Sequence, residues 1–168
     1  ENLMAYTKNA MRPLIFFKDY EEIRDGKIVE SNKLLRIKRI MLFILRPKSM
    51  WGSRFARRRV LSMGSPICCP SITYYKPNLM EPVFLNGFRS NEDWEAEERI
   101  SQLDGEFIFC NKILTYHRIH EDSETSKIIH DSKRSEEDYA MYRKFWPSGV
   151  AHILTKLYST SEKSNNIK

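Results

Sequence analysis

The chain has 168 residues, of which 41% are hydrophobic, 30% are charged and 12% are aromatic, and its formal net charge is +6. This composition excludes an intrinsically disordered chain and supplies enough apolar side chains for one domain with a hydrophobic core. No apolar run approaches the roughly 20 residues of a membrane-spanning helix. Three cysteines without zinc-type spacing fit a reducing compartment, so we expect a cytoplasmic protein.

The first thirty residues predict a helix followed by a hairpin. Residues 2–11 resemble the last turns of a helix, and the apolar run Pro13–Phe17 is typical of a buried strand that continues to Arg24. Asp25-Gly26 favours a two-residue hairpin turn, with residues 27–30 as the returning strand. Because the chain begins inside an element, we expect it to be the C-terminal part of a longer protein.

Residues 31–80 contain no acidic side chain, and ten Lys or Arg lie between Lys33 and Arg59. Apolar residues recur at helical spacing over 33–45 and predict one apolar and one basic face. Pro47 ends this helix, and residues 55–61 predict a second, shorter one. The basic face fits a solvated surface, a surface that binds polyanions or anionic membranes, or a nucleic-acid interface. Nucleic acid is not favoured, because no recognition motif accompanies the charge.

The remaining elements alternate between strands and helices. A loop rich in small residues leads to a strand at 71–75, and an irregular stretch leads to the acidic segment Asn91–Glu95. The further predicted elements are a helix over 94–103, a turn at Asp104-Gly105, strands over 106–110 and 114–120, and helices over 135–145 and 150–158. This mix predicts an α/β fold with a single domain over 1–158 and a polar C-terminal tail over 159–168.

The acidic segment Asn91–Glu95 carries the candidate chemistry. A carboxylate at the start of a helix is stabilised by the helix dipole and by free N–H groups, so it stays ionised near neutral pH. That property suits a general base, but it suits an ordinary helix cap equally well. Spacing alone favours the cap for Asp93.

The other candidate motifs are sparse. His117 and His120 face opposite sides of a regular strand, so both bind one metal only if the strand ends before His120. Ser71 lacks the Gly-x-Ser-x-Gly context of a hydrolase nucleophile. No glycine-rich phosphate loop is present among the six glycines.

Four segments, in order and spacing, resemble the C-terminal half of a family 2 glycosyltransferase with the GT-A type fold. They are Phe16–Gly26, Gly64–Lys76, Glu92–Glu95 and Tyr116–Thr125. The resemblance implies a mixed sheet flanked by helices. It also implies an inverting transfer of a sugar from a nucleotide-sugar donor to a hydroxyl of a glycan or lipid-linked acceptor, in polysaccharide synthesis.

The resemblance assigns roles residue by residue. Asp93 is the expected catalytic base, and Glu92 helps to shape the site. Trp94 offers a sugar-stacking face or, equally, is a core residue. Ser71 lies in the segment that resembles the acceptor side. His120 is expected to bind the donor diphosphate or its metal.

One departure from the family pattern limits these expectations. The Asp-x-Asp motif that holds Mg²⁺ or Mn²⁺ on the donor diphosphate is absent from the chain. We therefore expect the nucleotide-binding half to be missing and the chain to be inactive by itself. The expected location is the cytoplasm, at the inner face of the membrane if the basic helix contacts anionic lipid. The alternative to an enzyme is a basic α/β module that binds nucleic acid or an acidic partner through residues 33–59.

Overall fold

The computed structural model describes residues 2–119 and 132–163 and shows a mixed α/β fold. The strands are β1 (Pro13–Arg24), β2 (Lys27–Val29), β3 (Ile72–Tyr74) and β4 (Glu106–Ile119). The α-helices in these ranges are α1 (Asn2–Thr7), α2 (Lys33–Leu42), α3 (Arg54–Leu61), α4 (Glu92–Ser101), α5 (Ser132–Arg143) and α6 (Ser148–Lys163). The predicted α/β class is confirmed.

β1 is the centre of a four-stranded mixed sheet. It pairs with β4 in parallel on one side, and with β2 and β3 in antiparallel on the other. β2 lies beside the C-terminal end of β1 and β3 beside its N-terminal end. Asp25 and Gly26 both have positive φ angles, 50° and 73°, as the predicted tight hairpin turn requires.

β4 is one continuous strand, so the prediction of two separate strands over 106–110 and 114–120 is wrong. Its first part is buried and its second part is largely exposed, which is why the sequence pattern changes between them. The pairing with β1 nevertheless continues, because a register shift places Lys18 opposite Cys110 and Asp19 opposite Ile113. A bulge in one strand therefore takes the place of the predicted loop.

The last helix runs into the predicted polar tail. α6 continues to Lys163, five residues into the segment 159–168. The Thr160 hydroxyl donates to the Lys156 carbonyl one turn earlier, at 2.8 Å, so its polar group is satisfied within the helix. Among the described residues, none of the helices is long and apolar enough to cross a membrane.

The main core lies between the sheet and helices α3 to α6. The rings of Phe17 in β1 and Phe109 in β4 stack with their centroids 4.9 Å apart, and Trp94 of α4 packs edge-to-face on Tyr142 of α5. The Trp94 contact ties the first turn of α4 to α5, within the same core cluster as the two phenylalanines. The position of the acidic segment is therefore set by the core.

The apolar face of α2 differs from the predicted one. Leu35, Leu42 and Leu45 are buried, whereas Ile40 and Phe43 are 73% and 64% exposed. The chain tightens into a 3-10 turn at Phe43–Leu45, so the buried side chains follow a three-residue spacing there. The exposed apolar side chains lie among basic ones.

The turn before β4 is closely packed. Gly105 has a φ of +138°, and a Cβ at this position would lie 2.6 Å from the Arg12 carbonyl oxygen and 2.7 Å from Leu14 Cγ. The buried Arg57 guanidinium of α3 donates to the carbonyls of Leu103 and Gly105. One residue of the basic block is therefore part of the interior.

Candidate functional site

The acidic segment forms the N-terminus of α4, which begins at Glu92, two residues before the predicted start at Trp94. Asn91 occupies the N-cap position, but its side chain does not cap α4. Its amide nitrogen donates to the Asp138 carboxylate at 2.8 Å instead. Asp93 is a first-turn residue, where the helix dipole stabilises a negative charge.

Glu137 of α5 holds the chain that leads into α4. Its carboxylate accepts hydrogen bonds from the backbone amides of Arg89, Ser90 and Asn91, at 2.9, 2.9 and 3.2 Å. Burial acts to raise the pKa of Glu137, but these hydrogen bonds outweigh it and lower the pKa below its ordinary value. This clamp fixes the entry to α4 and with it the position of Asp93.

Asp93 is partly exposed and lies close to Cys69 and Tyr74. Burial raises the pKa of the Cys69 thiol to about 12, and hydrogen bonding to Asp93 adds to the increase. Burial also raises the pKa of Tyr74, as do the charges of Glu97 and Asp93. Both neighbours of Asp93 therefore stay protonated near neutral pH and can act as hydrogen-bond donors.

Glu97 lies one helical turn after Asp93, on the same face of α4. It is 0% exposed, and within the described residues neither of its carboxylate oxygens has a hydrogen-bond partner. Burial raises the pKa of Glu97 well above its ordinary value, and the charge of Asp93 raises it further, while Lys38 opposes the shift. Burial and the neighbouring carboxylate thus favour the neutral acid form of Glu97.

Two further acidic residues of α4, Glu95 and Glu98, are paired. Glu95 accepts hydrogen bonds from Arg99 at 2.9 Å and from Lys144 at 3.0 Å. Glu98 accepts from Arg58 at 2.6 Å and from Lys144 at 3.2 Å. These pairs join α4 to α3 and α5 and have a structural role, which sets them apart from Asp93 and Glu97.

The other predicted site residues are not gathered around Asp93. Trp94 is 1% exposed, and its indole N–H donates to the Leu61 carbonyl at 3.0 Å, so it is a core residue with no ring face open to a sugar. Ser71 is buried and donates to the Cys68 carbonyl at 2.7 Å. Glu92 is exposed. His120 lies outside the described residues.

Sequence reasoning missed Glu97 and Tyr74. The signal for Glu97 was available, since a residue four positions after Asp93 on a helix must share its face. Its burial was not predictable, because Glu is rarely buried without a partner. Tyr74 falls in the predicted strand, but its place beside α4 depends on how that strand pairs with β1.

Most of the basic side chains between Lys33 and Arg59 make contacts within the fold. Pairs with a hydrogen bond or ion pair include Lys38 with Tyr20, Arg39 with Asp19, Arg54 with Asp104 and Arg58 with Glu98. The charge of this block is therefore used largely to join α2 and α3 to the rest of the molecule. Fewer of these basic side chains are therefore available to bind an external polyanion.

The structure provides no metal site in residues 2–119 and 132–163, where no group of three or more His, Cys, Asp or Glu side chains is arranged as ligands. The expected Mg²⁺ or Mn²⁺ stays a prediction for the complete enzyme, because the Asp-x-Asp motif that would hold it is absent from the chain.

Comparison with known proteins identified no relative of the chain. No family model, characterised protein or solved structure matches the chain.

Proposed function

We propose that the chain is the acceptor-binding part of an inverting glycosyltransferase, with Asp93 as its general base. The observation that carries this proposal is the setting of Asp93. Its carboxylate lies in the first turn of α4, partly exposed, close to Tyr74 and to Cys69, the first residue of the segment 69–73 that resembles the acceptor side of family 2 glycosyltransferases. A base must be reachable by its substrate and held in place, and Asp93 meets both conditions.

In the proposed reaction, Asp93 accepts the proton of an acceptor hydroxyl. The oxygen attacks the anomeric carbon of a nucleotide-sugar from the face opposite the nucleotide, and the bond to the nucleoside diphosphate breaks. One carbon–oxygen bond forms as another breaks, with inversion at that carbon. Glu92, exposed on the same turn, is proposed to shape the entrance to the site.

The proposed location is the cytoplasm, at the inner face of a membrane that holds a lipid-linked acceptor. The exposed Ile40 and Phe43 support this part of the proposal, because basic Arg36 and Arg46 flank them. Apolar side chains among basic ones suit an anionic membrane surface. By contrast, no observation favours the alternative of a nucleic-acid-binding module, since the block 33–59 is largely engaged within the fold.

The catalytic proposal is tested with Asp93→Asn in the longest polypeptide that the gene encodes around these residues. Release of nucleoside diphosphate is measured with a panel of nucleotide-sugars and lipid-linked acceptors. We expect a loss of transfer of about a hundredfold or more, with donor binding intact. The control is Asp104→Asn, which removes an exposed carboxylate paired with Arg54. Unchanged turnover in Asp93→Asn would eliminate the base role.

The membrane proposal is tested by sedimentation with phospholipid vesicles. We expect binding to vesicles with anionic lipid, little binding to neutral ones, and weaker binding after Ile40→Ser. The control is Ile28→Ser, which changes an exposed isoleucine that belongs to β2 and not to α2. Equal binding to both kinds of vesicle, or to neither, contradicts this location.

A further inference from the structure

The second part of β4 lies at an edge of the sheet, where β1 pairs with it on one side. At the start of β4 the other side is occupied, since the Phe107 N–H donates to the Trp51 carbonyl at 3.0 Å. Within residues 2–119 and 132–163, the backbone of residues 111–116 is bonded to β1 and to no further segment. We call residues 111–116 the open edge.

The open edge has backbone hydrogen-bonding groups to offer. In a strand that is paired along one side, alternate residues direct their N–H and C=O groups away from that partner. Such groups bind an extended peptide by continuing the sheet, and the main-chain hydrogen bonds supply the affinity. The register shift at Ile113 bends and twists β4 locally, so we expect a short added strand of about five or six residues.

The open edge also carries exposed apolar side chains. Ile113, Leu114 and Tyr116 are 37%, 41% and 51% exposed. Large apolar side chains on an exposed edge strand favour pairing with another chain. Side chains of an added strand would cover part of this apolar surface.

The accessible charge at this edge is positive. Lys112 and Arg118 are exposed, and residues 107–119 contain no acidic side chain. The carboxylates in the neighbouring part of β1 are buried; they are Asp19, Glu21 and Glu22.

This charge selects the partner. Pairing of two copies along β4 would bring basic side chains of both copies together without an acidic one, and like charges across a strand pair are destabilising. The same basic side chains attract a strand that carries carboxylates. The edge therefore disfavours a second copy of this chain and favours an acidic partner.

We propose that the open edge of β4 binds an extended acidic peptide as an added strand of the sheet. The peptide backbone pairs with residues 111–116, and its carboxylates lie beside Lys112 and Arg118. The proposal is independent of the function proposed for Asp93, because it uses none of the residues of that site.

The test measures binding of a labelled peptide of about six residues that alternates Glu and Val, by fluorescence anisotropy with the full chain. We expect saturable binding to wild type, and about tenfold weaker binding to Lys112→Glu and to Arg118→Glu, since each change turns an attraction into a repulsion. A peptide that alternates Lys and Val should instead prefer the double variant. The matched control is Lys27→Glu, at an exposed lysine of β2 on the opposite edge of the sheet, with unchanged affinity.

Amide hydrogen exchange separates strand pairing from simple charge attraction. The Glu and Val peptide should slow the exchange of outward-facing N–H groups in residues 111–116. The same peptide N-methylated throughout lacks N–H donors and should bind at least about tenfold more weakly. The proposal is overturned if wild type does not bind the peptide, if both charge reversals leave the affinity unchanged, or if the open edge gains no protection at saturating peptide.

Discussion

Substitution of Glu97 by Gln changes how stability depends on pH. In the unfolded chain this carboxyl titrates near its ordinary pKa of 4.5, whereas burial and the charge of Asp93 raise its pKa in the folded protein. Between those two values the folded state binds the proton and the unfolded state does not. The contribution of Glu97 to the free energy of unfolding therefore falls by up to about 1.4 kcal/mol for each pH unit above 4.5, until the folded pKa is reached.

Glutamine has nearly the same shape as the protonated acid but does not titrate. We therefore expect Glu97→Gln to have wild-type stability near pH 4.5 and an advantage that grows by about 1.4 kcal/mol per pH unit above it. Other carboxyls contribute equally to both proteins, so the difference isolates Glu97. The pH at which the difference stops growing gives the folded pKa of Glu97.

The assay is urea unfolding followed by circular dichroism, at a series of pH values from about 4.5 to 8. Glu136→Gln, at an exposed position of α5, serves as the control and should parallel wild type. A constant difference between Glu97→Gln and wild type over this range would refute the reasoning, because it would mean that Glu97 titrates alike in both states.

Further predictions concern stability. Gly105→Ala should destabilise the protein by about 2 kcal/mol or more in urea unfolding, because its Cβ would overlap the carbonyl oxygen of Arg12. Gly149→Ala, where nothing lies within 4 Å of the added Cβ, should not destabilise the protein. Equal effects of the two substitutions would contradict this account. Glu137→Gln should cost about 1–3 kcal/mol through weaker bonds to three backbone amides, which Glu136→Gln should not reproduce. Lys144→Met should lower the free energy of unfolding by about 1–3 kcal/mol, because it removes a cation shared by the buried carboxylates of Glu95 and Glu98. A melting temperature equal to wild type would contradict this and would show that Arg58 and Arg99 compensate.

Local patterns in the sequence predicted the elements well. The Asp25-Gly26 hairpin, the buried start of β1 and helices α3, α4 and α5 all follow from turn chemistry and from helical or strand periodicity. The errors occurred where tertiary contacts overrode local signals. β4 continues through a polar stretch because β1 supplies hydrogen-bond partners along its whole length.

The candidate site was predictable only in part. Asp93 was identified from the order of the flanking segments, and its role remains a prediction. Trp94 was given two interpretations, and the structure places it in the core. The unpaired state of Glu97 depends on which groups α2 and β3 bring to α4, and those pairings are invisible in a single sequence.

The parallel pairing of β1 with β4 has a consequence for synthesis of the chain. Phe16 lies opposite Ile108, so the central strand leaves the ribosome long before its main partner exists. One edge of β1, carrying buried apolar side chains, stays unpaired while the intervening helices are made. Premature termination before β4 would therefore release a species prone to aggregation, and translation pauses within residues 30–105 would lengthen that exposure.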